Sequence, residues 1–113
     1  MGDQHNAVTD TDRIRRLNDE FRTNLKGGPI MLTRGISERC DANAILCAVK
    51  QFDNFNEAND PHHEHDFGAI EVGGDTVFFK IDYYARDLEH GSPDAADPAV
   101  TTRVLTVMLA EEY

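Results

Sequence analysis

The sequence predicts an α+β domain with the order α-β-α-β-β-α, in which helices pack on one face of a small, mostly antiparallel three-stranded sheet. Apolar residues recur at helical spacing towards both ends of the chain, and a hairpin pattern lies between them. The length of 113 residues and the hydrophobic share of 40% suit one modest core. We therefore expect a single domain over residues 9–113, preceded by a disordered N-terminus at residues 1–8.

The first helix is predicted by the apolar stripe that runs from Ile14 to Leu25. A Thr or Asp at residues 9–11 can cap its start. The Gly-Gly-Pro run at residues 27–29 ends it, and the short apolar run at residues 30–33 that follows predicts a strand.

The second helix is predicted to begin near Ser37 or Asp41 and to run to about Phe52. Its small residues, which include Cys40 and Cys47, form one face that we expect to pack closely against the rest of the domain. Seven residues of helix separate the two thiols by about 10 Å, too far for a disulfide. They are therefore expected to be buried free cysteines.

The hairpin is predicted by the apolar, β-branched runs at residues 67–72 and 77–84. A Gly74-Asp75 turn would set Val72 opposite Val77, with further apolar pairs along one face. The competing Gly73-Gly74 turn would set Gly68 opposite Phe79 and lose two apolar pairings. We therefore favour the first register.

A last helix is predicted after an acidic loop at residues 85–97. Asp97 followed by Pro98 is a typical helix start. The valines from Val100 onward form a stripe that would carry this helix almost to Tyr113.

Charge is distributed unevenly along the chain, whose net charge is -10. Residues 51–113 contain three Lys or Arg against 14 Asp or Glu, whereas residues 1–50 are nearly balanced. Such a surface repels nucleic acid and anionic membranes but suits a protein partner with a basic surface. The sequence shows neither an apolar membrane span nor a signal peptide, so a cytoplasmic protein is expected.

Three groups of side chains are candidate sites. The loop from Asp60 to Asp66 holds His63, His65 and Asp66, which could ligate a divalent metal, and Glu64, which could contribute to binding. An extended backbone would point His63 and His65 to the same side. The alternative is a polar loop in which His65 and Asp66 organise the entry to the hairpin.

The second candidate group lies on one face of a strand and consists of Phe78, Lys80, Asp82 and Tyr84. With His65 and Asp66 it could form an acid–base site, and alone it could be a binding face or a solvated surface. The third group consists of Arg34 and Arg103, which could hold a phosphate or carboxylate or could pair with acids of the chain.

Several stretches carry a family resemblance: Arg15-x-Leu17-Asn18-Asp19-x-Phe21, Met31-Leu32-Thr33-Arg34-Gly35, Glu64-His65-Asp66-Phe67-Gly68, Lys80-Ile81-Asp82-Tyr83-Tyr84, and Asp94-x-x-Asp97-Pro98 running on to Tyr113. They resemble a family of small bacterial proteins known as domain of unknown function 3768. The resemblance implies carriage on plasmids and other mobile elements, often beside genes that counter host defences, and implies no activity. A Tyr-Gly pair is usual in that family where this chain has His62-His63, which weakens a site that uses all three loop histidines.

Three functions follow as hypotheses. The favoured one is a non-catalytic acidic accessory protein that binds a protein partner; its sharper form is an anti-defence inhibitor that mimics the charge of DNA. The alternative is a small metal-dependent or acid–base enzyme that uses His65, Asp66, Lys80 and Asp82. A homodimerisation module is the third. No cofactor is expected, unless the histidine-rich loop binds a divalent metal.

Overall fold

The computed structural model describes residues 8–113, so the predicted disordered N-terminus lies almost entirely outside the described residues. The elements follow in the order α1 (Asp10–Asn24), β1 (Ile30–Leu32), α2 (Arg34–Ser37), α3 (Ala42–Gln51), β2 (Phe67–Val72), β3 (Asp75–Tyr84) and β4 (Thr102–Leu109), with a final 3-10 turn at Ala110–Glu112. Thr9 caps α1 in a reciprocal pair of hydrogen bonds with Asp12. No helix among the described residues is long and apolar enough to cross a membrane.

The four strands form one sheet in the order β1-β4-β3-β2. Strand β1 runs parallel to β4, and the other neighbours are antiparallel. The core lies on one face of this sheet, where Phe21, Ile45 and Val49 of the helices meet Phe79 and Leu105 of the strands. The α+β class is confirmed, whereas the prediction of three strands is wrong.

The predicted last helix is wrong, because residues 102–109 form the strand β4 at the centre of the sheet. Arg103, Leu105 and Val107 face the core, and the alternate residues face the other side. Thr and Val occupy half of the positions in β4, and such β-branched side chains favour a strand. The Asp97-Pro98 pair forms a turn rather than a helix start, since Asp97 Oδ1 accepts the Ala99 N–H at 2.9 Å.

The favoured hairpin register is also wrong. The turn lies at Gly73 and Gly74, which both have positive φ, so Val72 pairs with Asp75. Two consecutive positive φ angles are typical of a hairpin turn that glycine adopts without strain. Gly68 consequently lies opposite Phe79, as the competing register requires.

The second predicted helix is confirmed as α3, which has Asp41 as its N-cap and Phe52 as its C-cap, and the short α2 precedes it. The buried face of this segment, however, differs from the predicted one. Ile36, Ile45 and Val49 are buried, while Cys40 and Cys47 are exposed free thiols. The branched aliphatic residues thus fill the space against the sheet, and the small residues face outward.

Candidate functional site

The sheet separates the predicted site residues into two groups. Side chains alternate along β3, and Val77, Phe79 and Ile81 face the helices. The residues between and after them therefore point away from the helices, and these are Phe78, Lys80, Asp82 and Tyr84. Glu64, His65 and Arg103 instead contact residues of the helix side. The four residues of the predicted acid–base site are therefore not brought together.

His65 attaches the loop at residues 53–66 to α1. Its Nδ1 lies 2.9 Å from Asp19 Oδ1, and its Nε2 lies 3.6 Å from Asp60 Oδ2. Its ring stacks on Phe55 with 3.8 Å between centroids. Asp60, which is buried, accepts the backbone N–H groups of Glu64 and His65 at 3.0 Å each. These contacts hold His65 at φ +57°, a left-handed conformation that is uncommon outside glycine.

Glu64 and Arg103 join a buried polar network with Asn18 and Tyr83. Asn18 Nδ2 donates to the Glu64 carbonyl at 2.9 Å and to Tyr83 Oη at 2.7 Å, and Tyr83 donates in turn to Glu64 Oε1 at 2.7 Å. Arg103 Nε donates to Asn18 Oδ1 at 2.8 Å. Burial and the hydrogen bond to Glu64 raise the pKa of Tyr83, so its phenol remains a neutral donor. This network holds α1, the loop and two strands together.

The metal prediction at His63, His65 and Asp66 gains no support from the geometry. His63 is exposed at φ +61°, so the backbone is not extended there, and its Nε2 lies 3.8 Å from Glu57. Burial, with the nearby charges of Glu64 and Asp60, raises the pKa of Asp66. Among residues 8–113, no three His, Cys, Asp or Glu side chains are grouped so that they could hold a metal ion.

The face of the sheet opposite the helices contains a shallow groove of about 490 Å³, which we call the open-face groove. It is lined by Pro29, Met31, Leu32, Thr33, Lys80, Asp82, Tyr84, Leu88, Val104 and Thr106. Met31 and Leu88 are 54% and 51% exposed, which is unusual for large apolar side chains. The groove is therefore mainly apolar and is uncovered by any described element.

One ion pair lies within the open-face groove. Lys80 Nζ donates to Asp82 Oδ2 at 2.6 Å, and this hydrogen bond raises the pKa of Lys80. Each charge is matched by the other, so the pair adds polarity to the groove without adding net charge. A paired lysine of raised pKa is a poor general base, which makes proton abstraction an unsuitable role for it.

The far end of the same face is partly covered. Phe78 lies 5.0 Å from Phe67 and 5.7 Å from Tyr113, measured between ring centroids. The C-terminal turn thus brings an aromatic ring onto this end of the sheet. Phe78 packs within the molecule and is less available than Tyr84, which lines the groove.

Arg34 forms no hydrogen bond or ion pair with the described site residues on either face of the sheet. Its side chain is 85% exposed, and its Nε donates to Glu38 Oε2 at 2.8 Å on the same short segment. The groove residues that were not predicted as site residues are Pro29, Met31, Leu32, Thr33, Leu88, Val104 and Thr106. The alternation along residues 102–108 is the signal that could have identified the last two, once that segment is read as a strand.

Comparison with known proteins gives one match. Residues 29–112 match the family model described as "Protein of unknown function (DUF3768)", which covers β1 through the C-terminal turn. No curated protein and no solved structure matches the chain.

Proposed function

The chain belongs to the DUF3768 family, and we propose that it acts by binding a partner protein in the open-face groove. The observation that carries this proposal is the uncovered apolar surface at Met31, Val104 and Leu88, on a sheet whose other face packs against the helices. Exposed contiguous apolar surface on a small protein is typical of interaction sites.

The shape of the groove favours a side chain or short segment of a protein. Strands β1, β4 and β3 form the floor of the groove, which Met31 and Tyr84 line, and methionine and aromatic side chains are enriched at protein interfaces. The Lys80–Asp82 pair places two charged groups in the mainly apolar groove, which would fix the orientation of the bound segment.

Charge indicates the chemistry of the partner. Leu88 lies between Asp87 and Glu89, so an acidic edge borders the groove, in a chain of net charge -10. A partner with an apolar anchor flanked by Lys or Arg would match both features. We place this encounter in the cytoplasm.

The decisive test compares two variants of equal charge change. Met31→Arg places a cation in the groove, whereas Ala44→Arg places one on the exposed surface of α3, in the helix layer. We expect partner capture in cells that carry the gene to be lost with Met31→Arg and kept with Ala44→Arg. A photo-crosslinking residue at position 31, but not at position 44, should form an adduct with a second protein.

The outcomes separate the alternatives. Equal capture by the two variants would overturn the proposal. An adduct at position 31 with twice the mass of the chain would show a second copy in the groove, and the basic-partner proposal would then be wrong.

The narrower form of the proposal makes the partner a nucleic-acid-binding protein whose basic surface the acids occupy. Replacing Asp87, Glu89, Asp94 and Asp97 with Asn or Gln keeps the side-chain oxygens that accept loop hydrogen bonds and removes four charges. We expect slower association with the captured partner and a weaker dependence of affinity on salt. Duplex DNA should compete with the wild-type chain for that partner, and unaffected binding would refute this form.

A further inference from the structure

A second concave site lies on the other side of the molecule, between α1 and the loop that precedes β4. This basic pocket has a volume of about 190 Å³, and its charged lining residues are Lys26, Arg86, Arg103 and Glu20. Two of the three basic residues in the acidic stretch 51–113, Arg86 and Arg103, are found here. Three cations against one carboxylate make a positive pocket in a protein that is otherwise strongly acidic.

Arg103 supplies a buried charge that no carboxylate of the described residues neutralises. It is only 5% exposed, yet none of the ion pairs within 4 Å among residues 8–113 involves it. Its Nε donates to Asn18 and its Nη2 donates to the Ala95 carbonyl at 2.5 Å, both neutral acceptors, and Tyr83 covers its plane. A buried cation without a countercharge carries a large desolvation cost.

The guanidinium retains donors for a ligand. Nη1 of Arg103 has no hydrogen-bond partner in the described part of the chain, while Nε and Nη2 are held in fixed positions. Burial lowers the pKa of Arg103, and the nearby Tyr83 and Glu64 oppose that shift. An arginine remains charged under such a shift.

The pocket entrance is basic as well. Lys26 and Arg86 are exposed, and neither forms an ion pair with any residue from 8 to 113. Leu25 ends α1 at φ +55°, which directs the chain to Lys26 and the glycines. A Cβ at Gly28 would lie 2.0 Å from the Arg103 carbonyl oxygen, so the glycine allows this turn to lie directly against β4.

We propose that the basic pocket binds a small, free oxyanion of the phosphate class, with Arg103 Nη1 at its floor and Lys26 and Arg86 at its entrance. At about 30 Å³ per water, the volume equals that of roughly six waters and admits a phosphate ion with part of its hydration shell. The anion would supply the countercharge that Arg103 lacks. This site is separate from the open-face groove and does not depend on the function proposed for it.

The test is a titration with inorganic phosphate against potassium chloride of equal ionic strength, because salt alone screens the repulsion within an acidic protein. We expect a saturable rise in melting temperature with phosphate beyond that seen with chloride. We also expect the Nε–Hε signal of Arg103 to shift in the NMR spectrum as phosphate is added.

Two exposed pairs of residues provide matched variants. Lys26→Ala with Arg86→Ala should weaken phosphate binding about tenfold or more, because charge-assisted contacts at the entrance are lost. Lys50→Ala with Arg34→Ala removes the same charge elsewhere on the surface and should leave the affinity unchanged. Both pairs avoid the buried network, so folding is not at risk as it would be for Arg103→Gln.

The proposal is overturned if phosphate gives no saturable effect beyond chloride. It is also overturned if the two double variants bind phosphate equally, since the ion would then be responding to overall charge rather than to this pocket.

Discussion

At the scale of single residues, the tightest steric constraint is the missing side chain at Gly68. An added Cβ would lie 2.3 Å from Cε2 of Phe79 and 2.8 Å from Cε2 of Phe52. Both rings belong to the aromatic packing at this end of the core, which includes their edge-to-face contact at 5.2 Å. Gly68 therefore makes room for the ring of Phe79. The register that pairs Gly68 with Phe79 loses an apolar cross-strand pair, but it is the register in which the core packs.

Gly68→Ala is expected to lower the free energy of unfolding by about 2 kcal/mol, because the core has to shift to accept one methyl group. Gly91→Ala is the matched control: its Cβ would have no atom within 4 Å, and its φ is not positive. We expect that variant to stay within about 0.5 kcal/mol of wild type or to gain slightly. Urea unfolding measures both, and similar stabilities would show that the register or the ring packing is different.

At the scale of elements, a buried arginine of α1 determines how α3 ends. Arg22 Nη1 donates to the carbonyl oxygens of Val49, Lys50 and Phe52 at 2.9, 3.3 and 2.8 Å. These are the acceptors that a helix C-terminus leaves unsatisfied. Nη2 of Arg22 also pairs with Asp19, and Asp19 in turn contacts His65, so one side chain links α1, α3 and the loop.

Replacing Arg22 with Met should cost about 3 kcal/mol, since buried carbonyl groups lose their donor. Arg16→Met makes the same change at an exposed position of α1 and should cost less than about 0.5 kcal/mol. Thermal or urea unfolding gives the difference, and hydrogen exchange should be faster at Phe52 in the Arg22 variant alone. Equal losses of stability in the two variants would show that the capping contacts contribute little.

The elements also show what sequence can predict. The predictions of α1, β1 and the hairpin strands were correct because each depends on a local periodicity bounded by caps or glycines, such as Thr9 and Gly27. The helix prediction for residues 102–109 was wrong because apolar residues lie on both faces of β4. Helical spacing therefore matches this segment as well as strand alternation does. Tertiary pairing with β1 and β3 decides the outcome, and no local pattern encodes it.

The same distinction between local patterns and long-range contacts explains which candidate site residues could be predicted. Tyr84 and Lys80 were predicted to share a face because strand alternation is local, and they do share the open-face groove. Met31 reaches that groove only because β1 pairs in parallel with β4, a contact across more than 70 residues. His65 meets Asp19 across 46 residues, so its place on the helix side was equally beyond a local pattern.

At the scale of the whole molecule, two surfaces of opposite character lie on opposite sides of the sheet. The open-face groove is apolar with an acidic edge, and the basic pocket lies on the side of α1. The buried network of Asn18, Tyr83 and Arg103 lies between them, because Tyr83 and Tyr84 are adjacent residues of β3 that face opposite ways. The two proposed sites are therefore physically connected through one strand.

The carboxylate of Glu112, in the C-terminal 3-10 turn, contacts the segment at residues 33–35. This contact predicts how the stability of the fold depends on pH. Glu112 accepts hydrogen bonds from Thr33 Oγ1 at 2.6 Å, from the Leu109 N–H at 2.8 Å and from the Gly35 N–H at 2.9 Å. These bonds, that of Thr33 above all, lower the pKa of Glu112 in the folded state. A group whose pKa is lower in the folded state stabilises the fold above its unfolded pKa, and the contribution is lost as pH falls through the folded pKa.

Glu112→Gln should therefore be less stable than wild type at neutral pH, and the difference should shrink as pH falls from about 5 towards about 3. Glu111→Gln is the control, because the Glu111 carboxylate accepts no hydrogen bond from residues 8–113 and its replacement changes the net charge equally. Urea unfolding across this pH range should show a pH-dependent deficit for Glu112→Gln alone. Parallel curves for the two variants would mean that overall charge, rather than the contact with Thr33 and Gly35, determines how stability changes at acidic pH.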